Sequence, residues 1–267
     1  MKILVTGATG NVGRMVVDEL LALGATDVRA LTVDPAKAAL PPGVEVVQGF
    51  VGRPESLRPA LAGVDVMYLA PHIPTVFEAC RLAAAAGVGR IVDLAGAKGD
   101  HWQQIEDGVE ASGVPYTHLE PGEFMANSTL WAAQIRAGDE VRDGYANSAN
   151  AAIAQEDIAA VAAKVIVEAG HEGKSYYLTG PESLTRRQKV EAIGRALGRE
   201  LRYIELSHDE AVEQLRPAMG EYAEWYVEGV ALLAQHPQPA VTTVADLLAR
   251  PATTYEQWAR ANADLFR

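Results

Sequence analysis

Val5-Thr6-Gly7-Ala8-Thr9-Gly10-Asn11-Val12-Gly13 decides the fold. The apolar run Ile3-Leu4-Val5 leads into it, and beyond it apolar residues recur at helical spacing through Met15, Val16, Val17, Leu20 and Leu21. Strand, glycine turn and helix, in that order, form the context in which such a motif binds a dinucleotide. Gly7 permits the tight turn, Gly10 lets the backbone approach a pyrophosphate, and Gly13 lets the helix pack on the strand. The phosphates then face a helix N-terminus, where unpaired N–H groups and the dipole favour negative charge.

Outward from this unit, strand patterns at residues 27–33, 44–47, 64–70, 90–94 and 116–119 alternate with helical ones at 35–37, 54–61, 75–86 and 103–111. Short apolar strands separated by helices mean a parallel sheet covered on both faces. The expected fold class is therefore α/β, a doubly wound parallel sheet of the Rossmann type. Past Glu120 the rhythm loosens. Residues 124–137 and 156–167 look helical, 175–179 and 202–206 look like strands, and Ser183 is expected to cap a helix over 184–197 that stops at Gly198. This predicts a dinucleotide-binding domain over 1–122 and a smaller, mostly helical α+β lobe over 123–267 on the substrate side, with strands interleaved; one compact domain is the other reading.

Composition narrows the partners. Of 267 residues, 49% are hydrophobic, ample for a core, and the net charge of −12 argues against nucleic acid and against an anionic membrane. Cys80, the single cysteine, excludes a disulfide within the chain and reads as a small buried apolar residue. Met1-Lys2-Ile3-Leu4 runs straight into a strand, and no apolar run is long enough to span a bilayer, so a soluble cytoplasmic protein is expected. The six histidines show no metal-ligand spacing, and no metal is expected.

The glycine motif, Val28-Arg29-Ala30-Leu31 before Asp34-Pro35-Ala36-Lys37, Val46-Val47-Gln48-Gly49 and Pro54-Glu55-Ser56-Leu57 carry a family resemblance. So do Ala62-Gly63-Val64-Asp65-Val66, Gly113-Val114-Pro115-Tyr116-Thr117, Glu120-Pro121-Gly122-Glu123-Phe124, Gln155-Glu156-Asp157-Ile158 and Leu178-Thr179-Gly180-Pro181. Together they resemble the NmrA-like branch of the atypical short-chain dehydrogenases over nearly the whole chain. The resemblance implies NADP or NAD as cofactor without flavin. It also implies one of two roles, a quinone or azo-type reductase or a regulator that binds the dinucleotide and catalyses nothing.

The chain departs from that family's pattern. Relatives commonly carry an arginine for the adenosine 2′-phosphate where Val33 stands, with Arg14 and Lys37 nearby in sequence to replace it. Asp34 either accepts from the ribose hydroxyls of NAD or caps the short helix before Pro35. Phe50 replaces an aspartate and either stacks on the base or fills the gap. Leu94-Ala95 replaces a serine pair, and Glu120 replaces an arginine. None of the nine tyrosines has lysine four residues on, so the ordinary Tyr–Lys proton donor is missing. Hydride transfer to a quinone relies mainly on placing the nicotinamide against the acceptor.

The cofactor residues expected are then Gly7, Thr9, Gly10, Asn11 and Val12 for the pyrophosphate. Asp34, Lys37, Phe50 and Val51 are expected around the adenosine, and Ala70 and Pro71 at the nicotinamide ribose. His72 is the weak candidate for a proton donor, against a plain loop histidine. His101-Trp102 is either an aromatic wall or helix packing. Glu120 and Glu123 act as acid and base, or else face solvent or pair with Arg136 or Arg142. Met219, Tyr222, Trp225 and Tyr226 line a flat apolar pocket or pack their lobe. The leading expectation is an NAD(P)-dependent oxidoreductase acting on a small aromatic or quinone-like molecule, with a homodimer possible. The alternatives are a dinucleotide-sensing regulator and a non-redox isomerase or cyclase on the same scaffold.

Overall fold

The computed structural model describes residues 1–96, 99 and 101–267. The chain opens as β1 (Ile3–Val5), α1 (Gly13–Ala22), β2 (Val28–Thr32), β3 (Glu45–Gln48), α2 (Arg58–Leu61), β4 (Val66–Leu69), α3 (Val76–Ala85), β5 (Arg90–Leu94), α4 (Gln103–Ala111) and β6 (Tyr116–Pro121). It continues as α5 (Ala132–Ala137), β7 (Glu140–Gly144), β8 (Ala149–Asn150), α6 (Gln155–Val167), β9 (Lys174–Leu178), β10 (Leu184–Thr185) and α7 (Arg186–Leu197). β11 (Arg202–Leu206), α8 (His208–Met219), α9 (Tyr222–Gln235), α10 (Thr243–Leu248) and α11 (Tyr255–Ala261) complete it.

Two compact units result. The first gathers Met1–Gly122, Gln155–Leu178 and Thr243–Arg250; the second holds the rest. The first unit therefore runs past the boundary expected at 122, because β9 pairs in parallel with β6 and becomes the last strand of the sheet. That sheet has seven strands in the order β3-β2-β1-β4-β5-β6-β9, every pair parallel. The order reverses between β1 and β4, which places the switch point of a doubly wound sheet directly beside the glycine motif. Strands β1, β2, β4 and β5 are buried along their whole length, which is why they read as continuous apolar runs rather than alternating ones. Leu4, Leu31, Met67 and Ile91 from one face of the sheet meet Leu57, Leu61, Val76, Ala83, Ile105 and Val109 from α2, α3 and α4 and their approaches. Each of the valine, leucine, isoleucine and methionine side chains contributes roughly 1.5–3 kcal/mol on burial.

The second unit combines helices with two small sheets, β11 parallel to β7 and β10 antiparallel to β8. Its core packs Trp131, Ile135, Val141, Val190, Ile193, Tyr255, Trp258 and Phe266. Two expectations change here. The helix expected over 124–137 is a 3-10 segment, Met125–Trp131, followed by α5. The helix expected to start after Ser183 starts two residues later, because Leu184 and Thr185 pair with β8. Thr185 then caps α7 in a reciprocal box with Gln188, while the Ser183 hydroxyl donates to the Gln238 carbonyl at 2.7 Å.

A methyl group at residue 13 would lie 2.2 Å from the Gly7 carbonyl oxygen. Gly13→Ala is therefore expected to lose about 1–3 kcal/mol of stability, read as a lowered urea midpoint with an unchanged m-value.

Candidate functional site: a glycine cradle and two buried charge networks

The cradle is built by close backbone approach. Gly7 adopts φ +60°, in the left-handed region, and a Cβ there would also meet the Ala70 Cβ at 2.8 Å. Thr6 ties the loop down: its hydroxyl donates to the Tyr68 carbonyl at 3.0 Å and accepts from the Ala70 N–H at 2.8 Å. The Gly10 N–H turns back onto the Gly7 carbonyl at 2.9 Å. Helix α1 begins with no side chain capping its first turn, so its N-terminal dipole is open toward a loop whose Gly7, Thr9, Gly10 and Asn11 are exposed. Val12 is buried beneath them. A backbone cradle without side-chain bulk, facing an uncapped helix N-terminus, fits a pyrophosphate.

The expected adenosine residues lie at the carboxyl ends of β2 and β3. Val33 is exposed and carries no charge. Asp34 accepts from the Ala36 N–H at 3.1 Å and pairs with Lys37 at 3.1 Å, so the capping role expected of it is present. Arg14 is paired with Asp18 at 3.0 Å and donates to the Ala39 carbonyl at 2.8 Å. The Phe50 ring is exposed and packs edge-on against His72, with 5.3 Å between centroids. His72 Nδ1 lies 2.8 Å from the Thr75 hydroxyl, which donates to the Val51 carbonyl at 2.9 Å. The loop after β3, with Val51 buried, is thus clipped to the loop after β4 that carries Ala70, Pro71 and His72. His101 and Trp102 stand before α4 with their rings edge to face, and Trp102 supplies no cap.

In the second unit Glu123 pairs with neither Arg136 nor Arg142 and is half-buried, its carboxylate engaged by other partners. It accepts from Lys189 at 3.0 Å, Asn150 at 2.7 Å and the Tyr226 hydroxyl at 3.3 Å. Arg186 is buried against Asp143, which also accepts from the Trp131 indole at 2.6 Å, and its guanidinium lies over the Trp131 ring. Burial works against the Glu123 charge, but Lys189 and Arg186 outweigh it and hold the carboxyl at about 2. The cavity between these groups is only about 10 Å³, room for one water and no more. Tyr226 lines it, whereas Tyr222 and Trp225, 63% and 60% exposed, are not part of its lining. The sequence signal for this network was Arg186 and Lys189 three residues apart on one face of α7. No His, Cys, Asp and Glu group suited to a metal occurs among the described residues, and no helix among them is long and apolar enough to cross a membrane.

Residues 7–169 match the family described as NAD(P)H-binding. The chain is 36% identical to (4-alkanoyl-5-oxo-2,5-dihydrofuran-3-yl)methyl phosphate reductase of Streptomyces griseus, over 99% of both chains. It is 33% identical to the NAD(P)H azoreductase of Xenophilus azovorans, again over 99% of both. Among solved structures, the NADPH-dependent quinone oxidoreductase of Escherichia coli complexed with NADPH superposes with a TM-score of 0.86. That match is at 26% identity and covers 97% of this chain and 99% of that one.

Lys189→Met leaves the half-buried Glu123 carboxylate without its nearest cation, and a loss of about 1–3 kcal/mol is expected from chemical denaturation. Because the folded pKa of Glu123 lies below its ordinary 4.5, its contribution is present above that value and lost as pH falls toward about 2. Glu123→Gln is expected to lack that part of the acid dependence of stability.

Proposed function

The chain belongs to the NAD(P)H-binding family, in the NmrA-like branch of the atypical short-chain dehydrogenases, and on that premise we propose that it is an oxidoreductase passing hydride to a flat aromatic or quinone-like acceptor. The observation that carries the reading is the cradle: Gly13 against the Gly7 carbonyl, with an uncapped α1 behind it. The bound nicotinamide supplies the hydride. The backbone of Thr9, Gly10, Asn11 and Val12 holds the pyrophosphate. Asp34, Lys37, Phe50 and Val51 surround the adenosine, and Ala70 and Pro71 flank the nicotinamide ribose. His72 acts by holding Phe50 in place, since its Nδ1 is already engaged with Thr75. The relatives named above are reductases by their own activities, which favours turnover over a purely sensing or isomerising role.

On this reading NADH serves at least as well as NADPH. Val33 offers no charge to a 2′-phosphate, Arg14 is engaged with Asp18 and the Ala39 carbonyl, and Lys37 with Asp34. Fluorescence titration with both cofactors, followed by turnover with a panel of quinones and azo compounds, tests the assignment. Cofactor bound without consumption across the panel would replace it with the sensing role, and no binding of either cofactor would end both. Val33→Arg is expected to tighten NADPH binding about tenfold, the worth of one charge-assisted hydrogen bond. An unchanged affinity would move the adenosine away from β2.

A further inference from the structure

Helix α9 is apolar on two faces, of which its own unit covers one. Ala223 and Val227 pack against Ala211, Val212 and Leu215 of α8, and Val230 is buried on the same side. Away from that side, Tyr222, Trp225 and Leu232 are 63%, 60% and 57% exposed. With Gly229 they follow one another at the three-four-three spacing of a coiled-coil seam, Tyr222 and Gly229 at its a positions, Trp225 and Leu232 at d. The seam extends about 15 Å along the helix. Single exposed apolar side chains are ordinary, but large ones in register on one helix mark an interaction surface.

Gly229 gives the seam its shape. Glycine inside a helix costs stability against alanine, yet a Cβ at residue 229 would meet nothing within 4 Å, so packing among the described residues does not ask for it. It leaves a notch between Trp225 and Leu232 that a side chain from outside can enter. The flank carries charge of one sign. Glu221 and Glu228 are exposed at the g positions beside the seam, while Tyr226 and Leu233 at the e positions are half-buried. Glu224 stands further round, 3.2 Å from the His208 imidazole. Tyr222–Gln235 contains no lysine, arginine or histidine. From His208 to Gln235, Asp209, Glu210, Glu213, Glu221, Glu224 and Glu228 face a single arginine, Arg216, and it is paired with Glu213 at 2.8 Å.

We infer that this face of α9 docks a helix of another protein whose apolar seam is flanked by lysine or arginine. The charges decide against a second copy of this chain. Antiparallel pairing would set Glu221 and Glu228 of both copies along the same side of the seam, and parallel pairing would set them against Tyr226 and Leu233; neither supplies a cation. A basic amphipathic helix brings a cation to each carboxylate. Its apolar side chains cover Tyr222, Trp225 and Leu232, and one of them fills the notch at Gly229. The seam carries the affinity, with Trp225 as its anchor, while the carboxylates fix the orientation and speed the encounter. A surface of this length makes a weak, reversible complex. None of these residues belongs to the cradle, so the docking stands apart from the redox reading.

The probe is a synthetic peptide about three heptads long, with leucine at a and d and lysine at e and g, whose own charges keep it from pairing with itself. Fluorescence anisotropy of the labelled peptide reads its binding to the whole protein. It is expected to bind at least about tenfold more tightly than the same peptide with glutamate at e and g, or one with its leucines moved off the seam. Trp225→Ala, a change at an exposed side chain, is expected to weaken binding about thirtyfold, the effect of losing an anchor. The double variant Glu221→Lys/Glu228→Lys is expected to reverse the preference and favour the glutamate peptide. Both variants are expected to keep the urea midpoint of the unaltered protein. No binding, equal binding of the lysine and glutamate peptides, binding indifferent to the seam, or a preference that does not reverse would each overturn the docking face. So would a protein that sediments as a dimer and becomes a monomer in Trp225→Ala, because a second copy would then cover the seam.

Discussion

The approach of α1 to the turn after β1 governs the first unit. With hydrogen alone at position 13, the helix can settle on the Gly7 carbonyl, and the same turn needs φ +60° at Gly7 and a small Ala70 beside it. These requirements support each other: Thr6 bridges the β1 turn to the end of β4, which brings Ala70 to the point where Gly7 has no side chain. The result is a loop that presents backbone rather than side chains, the surface a phosphate group can approach most closely.

Each unit also buries charge, and does so in opposite ways. In the second unit the network is balanced, with Glu123 against Lys189 and Asp143 against Arg186, and its oxygens and nitrogens are almost all engaged. That pattern suits a structural role, in which polar groups fix one packing. In the first unit Asp93 pairs with His118 at 2.6 Å, while Asp93 Oδ1 and Glu120 Oε1 have no hydrogen-bond partner among the described residues.

What the sequence made legible follows from the range over which each signal acts. The parallel sheet was readable because its central strands are buried on both faces, so each announces itself as an apolar run. Strand β7 was not, since Glu140-Val141-Arg142-Asp143-Gly144 has one apolar side chain and the partners that let Asp143 be buried, Arg186 and Trp131, lie outside the strand. Ser183 was the cap expected from sequence, and the strand pair with β8 moves that role to Thr185. The glycine cradle could be read because its function is local backbone geometry. Asp93 and His118 meet through inter-strand register, which no local pattern encodes.

The return of residues 155–178 and 243–250 to the first unit bears on how this polypeptide is born. When the ribosome has released the first 122 residues, β6 is still an open edge: the strand that covers it, Lys174–Leu178, has yet to emerge. Parallel pairing between segments so far apart is slow, and an uncovered edge in the meantime invites pairing with other nascent chains. Arg90 donates to the Ile166 carbonyl at 2.7 Å, and the Thr117 hydroxyl to the His171 carbonyl at 2.8 Å. These bonds lock the late arrivals onto β5 and β6, so this edge of the sheet is covered only after residue 178 has emerged.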